Sequence, residues 1–500
     1  MIHCHLYTSN RLEVLAEKLA EVVSKPLASP LAPEIIVVQS KGMERWIAMQ
    51  LAQRFGICAN VKFPFPNAFV TEMIGKIIPN IPDPSPFDPN LLTWKIMKLL
   101  PEFIDRTEFS SVKNYLAGAQ FDLKAFQLAE RIADRLDQYL LYRPDWIFRW
   151  ERGEADHWQA VLWRALVQGN ASLHRAALAK QFIEHVGSIA TAPKDFPERL
   201  SVFGISALPP FHLHILASVA RVIPVHLFVM NPCQEFWFDI VSSSEKRRVI
   251  TSYADRDDAT ERLHVETGNP LLASMGGLGR DFLEMIYDFE IQEHAEFIEP
   301  GDRSLLLQIQ SDILNLRQRD IAQPKIQIAA DDRSIQIHSC HSPMREVEVL
   351  QDQLLRMFEQ EPALLPKDVL VMTPDIESYA PYIEAVFDLP MNDARRIPFS
   401  ITDRTVRHES QLLTTFLALL DLWHSRCTAS EVMTILESPA VHRKFQISET
   451  ELDRIRHWIS DTRIRWGIDP HHRHKLGLPE IMENTWLAGI NLLLQFRQVG

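Results

Sequence analysis

No stretch of this sequence approaches the roughly 20 consecutive apolar residues that a membrane-crossing helix needs. The opening MIHCHLYTSNRLEV also lacks the basic-then-apolar order of a secretory leader. A cytoplasmic chain is the expectation. Cysteine is sparse: Cys4, Cys58, Cys233, Cys340 and Cys427 are an odd number at wide spacings, which encodes neither a disulfide framework nor a Cys-x-x-Cys metal site. Positive charge is outnumbered, with 52 Lys and Arg against 65 Asp and Glu and a formal net charge of −13. That balance excludes a protein that coats nucleic acid by bulk attraction, because phosphate contacts need concentrated Lys and Arg. It leaves open a locally basic channel inside an acidic shell. Internal repeats and low-complexity tracts are absent too.

What is present is an α/β pattern in a chain long enough for about three domains. IHCHLY reads as a strand, RLEVLAEKLAEVV as an amphipathic helix and EIIVVQ as a strand buried on both faces. SKGMERWIAMQLAQRFG then reads as a loop feeding a helix that closes at Gly56, so the unit is βαβα and predicts a parallel sheet. Helical periodicity takes over from about Asn67 to Ala190, broken by loops such as PNIPDPSPFDPN. The sheet resumes with Leu200 to Ile205 and Val225 to Met230. A boundary near Asp331 precedes a second α/β pattern, with SIQIHSCH and DVLVMTP as strands. A helical tail runs from about Gln411 to INLLLQFRQVG, which carries no visible cap and suggests a piece of something longer.

The chemistry of nucleotide hydrolysis is missing from this frame. A phosphate-cradling loop needs glycines, a Lys and a Ser or Thr, yet the first strand-to-helix turn reads Tyr7-Thr8-Ser9-Asn10-Arg11. The later strand ends offer Gly204-Ile205 and Met230-Asn231, with no carboxylate to hold magnesium. Gln234 reads as an ordinary loop residue before a phosphate-sensing one. No G-x-S-x-G elbow appears, and Cys58 and Cys340 read as small hydrophobes. His338, Cys340 and His341 on a strand, and His471, His472 and His474 in a loop, read as surface or satisfied histidines before metal ligands. Asp375 and Glu377 in TPDIESY lack the Lys of a metal-dependent nuclease, and Asp375 reads as a helix cap.

Several blocks nevertheless carry a specific resemblance: YTSNRLEVL, VVQSKGMERWIAMQLAQRFGICANVKFPFP, LDQYLLYRPDW, GISALPP, NPLLASMGGLGRDF, HSPMREVEVL and RWGID. In this order they resemble the N-terminal part of the RecC family, the gamma chain of exodeoxyribonuclease V. The resemblance implies an inactive superfamily 1 helicase-like parallel-sheet domain (1–66 and 191–330) with an inserted helical domain (67–190). The start of a second helicase-like α/β domain with a helical tail would follow (331–500).

It further implies a subunit without catalytic or metal-binding residues and without activity of its own. ATP and magnesium would act in partner subunits, a RecB-like beta chain and a RecD-like alpha chain. Its role would be to split duplex DNA ends and scan the 3′-ended single strand for Chi during double-strand break repair by recombination. Matched by motif, the DNA-contacting residues would be Gln39, Lys41, Arg45, Phe65, Thr71, Asp134, Arg135, Asp137, Gln138, Arg143 and Arg175. Their types suit single strands: Gln and Asp read base edges, Arg pairs with guanine and Phe65 stacks. Asp134, Asp137 and Gln138 share a helix face by their i, i+3 and i+4 spacing. Lys41, Arg45, Phe65, Thr71 and Arg135 differ in character from the smaller, uncharged or aromatic residues of the family's pattern, and the extra positive charge among them implies greater sequence-independent strand affinity. Rival readings are a pure scaffold and an autonomous ATP-dependent helicase.

Overall fold

The structure is a computed structural model, and it describes residues 3–118, 120–241, 268–319, 327–402 and 410–499. The chain divides into two compact units, Met1–Ile335 and Gln336–Gly500.

The first unit is built on a six-stranded parallel sheet of order β3-β2-β4-β5-β1-β6. Its strands are β1 (Cys4–Ser9), β2 (Glu34–Val37), β3 (Val61–Lys62), β4 (Leu200–Phe203), β5 (Val225–Met230) and β6 (Gln292–Ala295). Helix α1 (Leu12–Val23) follows β1 and α2 (Lys41–Phe55) follows β2. The chain thus moves one way across the sheet through β1, β2 and β3, then reverses through β4, β5 and β6. Because parallel crossovers are right-handed, that reversal places the later helices on the opposite face.

Side-chain alternation along the strands serves both faces. Ile36, Val38, Phe203 and Phe228 pack with α1 and α2. Their neighbours Val37, Val202, Leu227 and Leu6 face the other core. That core also takes helices α3 (Pro66–Ile77), α9 (Arg175–Ser188) and α10 (Pro210–Val219), through Phe69, Met73, Phe182, Val186 and Leu213. Helices α3 and α9 fall inside the span expected as a helical insert, yet they are part of the sheet's packing.

A separate helical core is formed by α4 (Pro89–Phe103), α5 (Ser110–Leu116), α6 (Phe121–Tyr142), α7 (Pro144–Glu151) and α8 (Trp158–Val167). Ile96, Leu136, Ile147 and the fully buried Trp163 are among its members.

The apolar strands expected in the first unit are present, as is the closure of α2 at Gly56, whose φ of 82° is the left-handed conformation glycine adopts freely. Strands β3 and β6 were not expected. One has two residues, and the other, QEHA, is polar and largely exposed at the sheet edge, so neither carries an apolar pattern.

The second unit has two helices that pair over a small core of Val347, Leu354, Val386 and Phe387, namely α11 (Pro343–Gln360) and α12 (Ile376–Phe387). Asp375 caps α12 by accepting from the Ser378 amide at 3.4 Å. The segments SIQIHSCH and DVLVMTP are not strands in the structure, which corrects the expectation. A parallel strand needs a ladder partner, and here Ile337 (92% exposed), Leu370 (82%) and Met372 (84%) are uncovered instead. His471, His472 and His474 lie on a short helix, Pro470–Lys475, and not in a loop. Asp469 accepts from the His472 amide at 2.7 Å, with Pro470 at the first helical position, which starts that turn.

Candidate nucleic-acid interface

In parallel α/β sheets, ligands sit beyond the carboxyl ends of the strands. At the end of β1, the Asn10 amide clasps the backbone of Ile298, donating at 2.8 Å and accepting at 2.9 Å. At the end of β5, the Oδ1 atom of buried Asn231 accepts from the Cys233 amide (3.2 Å) and Trp237 Nε1 (3.1 Å). Gln234 donates to Asn315 Oδ1 at 2.9 Å. Gly204, past β4, has φ 63°, and the Met43 side chain stands 3.0 Å from where a Cβ would lie. The polar groups at these strand ends are therefore tied to the protein itself. Among the described residues, no group of three or more His, Cys, Asp or Glu side chains could hold a metal ion. A cavity of about 430 Å³, lined in part by Cys4, His214, Arg221 and Asp288, lies at the opposite, amino ends of β1 and β5.

The two strands at one side of the sheet carry the first group of candidate residues. β2 and β3 are neighbours, and the Val38 amide donates to the Pro64 carbonyl at 3.2 Å. Gln39 to Lys41 and Phe65 thus leave the sheet side by side. Ser40 fixes the first turn of α2 by accepting from the Met43 amide at 3.2 Å. Lys41 then lies with Nζ 5.5 Å from the centroid of the Phe65 ring and 2.8 Å from Glu44 Oε2. Phe65 is 39% exposed, an aromatic face presented to solvent beside a cation. Gln39, Arg45 and Thr71 are exposed as well, and among the described residues no hydrogen bond or ion pair joins them to this pair.

Helix α6 carries the second group. Gln138 Nε2 donates to Asp134 Oδ2 at 3.2 Å, while Arg135 donates to Gln138 Oε1 at 2.8 Å. Asp137, on the adjoining position, faces Arg175 at the start of α9 across 3.3 Å. Burial raises the Asp137 carboxyl above its ordinary range, Arg175 opposes that, and Asp134 and Asp88 add to it. Arg143 closes α6, its amide donating to the Tyr139 carbonyl at 2.9 Å. Its guanidinium lies 5.5 Å from the Trp146 ring centroid. The candidate residues therefore form separate contact groups and not one cluster.

Two residues that the motifs did not single out belong to this region. Asn67, in the first turn of α3, accepts at Oδ1 from His212 Nε2 on α10 across 2.8 Å. His212 is only 3% exposed, and burial, with Arg175 nearby, lowers its pKa to about 4. Arg175 thus influences both Asp137 and His212. The motif blocks hold no sign of this pairing, because its partners lie 145 residues apart.

Comparison with known families agrees with the sequence resemblance. Residues 4–316 match the family described as "RecC, N-terminal domain", and residues 409–495 match "RecBCD enzyme subunit RecC fourth domain". The chain is 40% identical to the RecBCD enzyme subunit RecC of Escherichia coli, over 98% of this chain and 47% of that protein. For the Haemophilus influenzae protein of the same name the identity is 37%, over 98% and 48%. For that of Mycolicibacterium smegmatis it is 32%, over 98% and 45%. The chain spans about half the length of these relatives. Among the described residues, no helix is long and apolar enough to cross a membrane.

Proposed function

The chain belongs to the RecC family, and from that premise we propose that it is a noncatalytic, DNA-contacting part of a RecBCD-type helicase and nuclease. In this reading the first unit is a superfamily 1 motor core whose nucleotide-hydrolysing residues are replaced. It helps to split duplex ends and inspects the 3′-ended strand for Chi, while RecB-like and RecD-like chains bind ATP and magnesium and supply the power. Inspection would fall to Gln39, Lys41, Arg45, Phe65, Thr71, Asp134, Arg135, Asp137, Gln138, Arg143 and Arg175.

The observation that carries this proposal is a contrast at the carboxyl edge of the sheet. Asn10 is consumed by internal hydrogen bonds where a motor would present its phosphate loop, and Gly204-Ile205 stands where its metal carboxylate would be. On the same edge, beyond β2 and β3, Lys41 and Phe65 are exposed as a cation and an aromatic platform. Phosphates attract the first, and any base can stack on the second. Along α6, Asp134 and Gln138 supply edge-reading groups within hydrogen-bond reach of one another.

The test uses Arg143→Ala and Asp137→Ala in the assembled complex. Unwinding should stay near the wild-type rate, while sequence-dependent pausing weakens by about tenfold, as expected for one lost base contact. If unwinding and pausing fall together, these residues are structural and the assignment is wrong.

A further inference from the structure

We infer that the free edge of β6 is a docking site for an extended, Lys- and Arg-rich segment of a partner chain, which adds to the sheet as a further strand. Such docking is independent of the DNA-contacting role proposed above.

β6 ends the strand order, and among the described residues it pairs with β1 alone. In a parallel ladder alternate residues turn their amide and carbonyl toward one neighbour, while those between turn them the other way. The Glu296 amide donates to the Thr8 carbonyl at 2.9 Å, and Gln292 and His294 stand in register with His5 and Tyr7. Residues 292, 294 and 296 therefore face β1. Glu293 and Ala295 face away from it, and among the described residues their backbone groups meet no partner. Both are exposed. A row of unpaired amides and carbonyls is a template on which another strand forms.

The charge along this edge is of one sign. Residues 288–299 read DFEIQEHAEFIE, with carboxylates at Asp288, Glu290, Glu293, Glu296 and Glu299 and no Lys or Arg. Lys18 offsets Glu296 at 2.8 Å. Glu299 accepts from Asn315 at 3.0 Å, and Glu293 Oε1 accepts from Tyr287 at 2.6 Å and Thr8 at 3.2 Å. Those donors are neutral and leave the negative charge in place. Asp288 and Glu290 are exposed, border a cavity that Arg221 also lines, and among the described residues are held by no ion pair.

Charge thus decides the occupant. The same edge of a second copy would set carboxylate against carboxylate, and a DNA strand would bring phosphates; both are repelled. A partner strand with Lys or Arg at alternate positions directs those side chains to one face of the sheet, where Glu293 lies, while its own amides and carbonyls complete the ladder.

The experiment titrates the full chain with a fluorescent peptide of alternating lysine and valine, against one of alternating glutamate and valine. The lysine peptide should bind at least tenfold tighter, and its advantage should shrink as salt is raised. Ala295→Pro removes only an outward N–H, a loss an edge strand tolerates, and should weaken the lysine peptide about fivefold, the worth of one hydrogen bond. Asp288→Lys with Glu290→Lys, on exposed positions, should weaken it about tenfold. In the assembled complex, residue-resolved hydrogen exchange should show the Glu293 and Ala295 amides slowed relative to the free chain, with the His294 amide, already turned to β1, little changed.

Equal binding of the two peptides would overturn the assigned partner chemistry. A lysine peptide indifferent to both Ala295→Pro and the double reversal would overturn docking at this edge, and the reversal decides the matter even where the proline variant fails to fold. Amides at Glu293 and Ala295 that exchange equally fast in chain and complex would do the same. Single-stranded DNA that slows those amides by itself would put nucleic acid in place of a protein strand.

Discussion

His226 shows how a side chain can govern stability without touching a ligand. It lies on β5 beside His5 of β1, with ring centroids 5.0 Å apart, and burial lowers its pKa to about 4, with His5, Arg199, Lys25 and His294 adding to the effect. An unfolded histidine titrates near 6.5, so between about pH 6.5 and 4 the unfolded chain holds a proton that the folded chain refuses. Stability from keeping this ring neutral is complete above about pH 6.5 and is lost as pH falls toward 4. In His226→Gln, urea unfolding at stepped pH should show an acid-side slope shallower by about 1.4 kcal/mol per pH unit. At this scale the sequence was informative about residue types and silent about pairings. Asp137 and Arg143 stand in a recognisable motif block, but that Arg175 faces Asp137, or that Asn67 meets His212, depends on how α3, α6, α9 and α10 pack. Local patterning does not encode such contacts.

Among the elements, α2 ties the sheet to the surface most directly, since its first turn sets Lys41 over Phe65. Ser40→Ala removes the side-chain acceptor for the Met43 amide and should cost about 1 kcal/mol of stability in chemical unfolding. Helix α6 depends on its buried face: Leu136 is 2% exposed, and Leu136→Ala should cost about 2–5 kcal/mol. The amphipathic helices and the apolar strands β1, β2, β4 and β5 were legible because burial imposes periods of 3.6 and 2 on the sequence. The polar edge strand β6 was not, because an edge facing solvent imposes no such period. SIQIHSCH and DVLVMTP show the opposite failure. Their composition suits strands, but strand formation is decided by a neighbour, and composition says nothing about where one lies.

On the scale of the whole molecule, the net charge of −13 and a strand-contacting role are compatible only if binding is local. Strand affinity should then fall with salt in proportion to a few contacts, at a slope of about 0.7 per phosphate. Removing Lys41 and Arg45 together should lower that slope by about 1.4, measured by titrating the complex with single strands across salt concentrations. A slope unchanged by the double substitution would place the phosphate contacts elsewhere. The family was legible from motif order alone, and the parallel sheet from the βαβα pattern. The spatial sorting of the candidate residues into separate groups was not, because it follows from the pairing of β2 with β3 for one group and from the packing of α6 against α9 for the other.

The central claim is that the carboxyl edge of this sheet grips a passing DNA strand. It is tested most directly by photo-crosslinking a single strand carrying reactive bases to the assembled complex and mapping the attached residues. The account predicts crosslinks on Lys41, Phe65 and the Arg175 end of α9. Crosslinks that avoid all three, in a complex that still unwinds DNA, would contradict it.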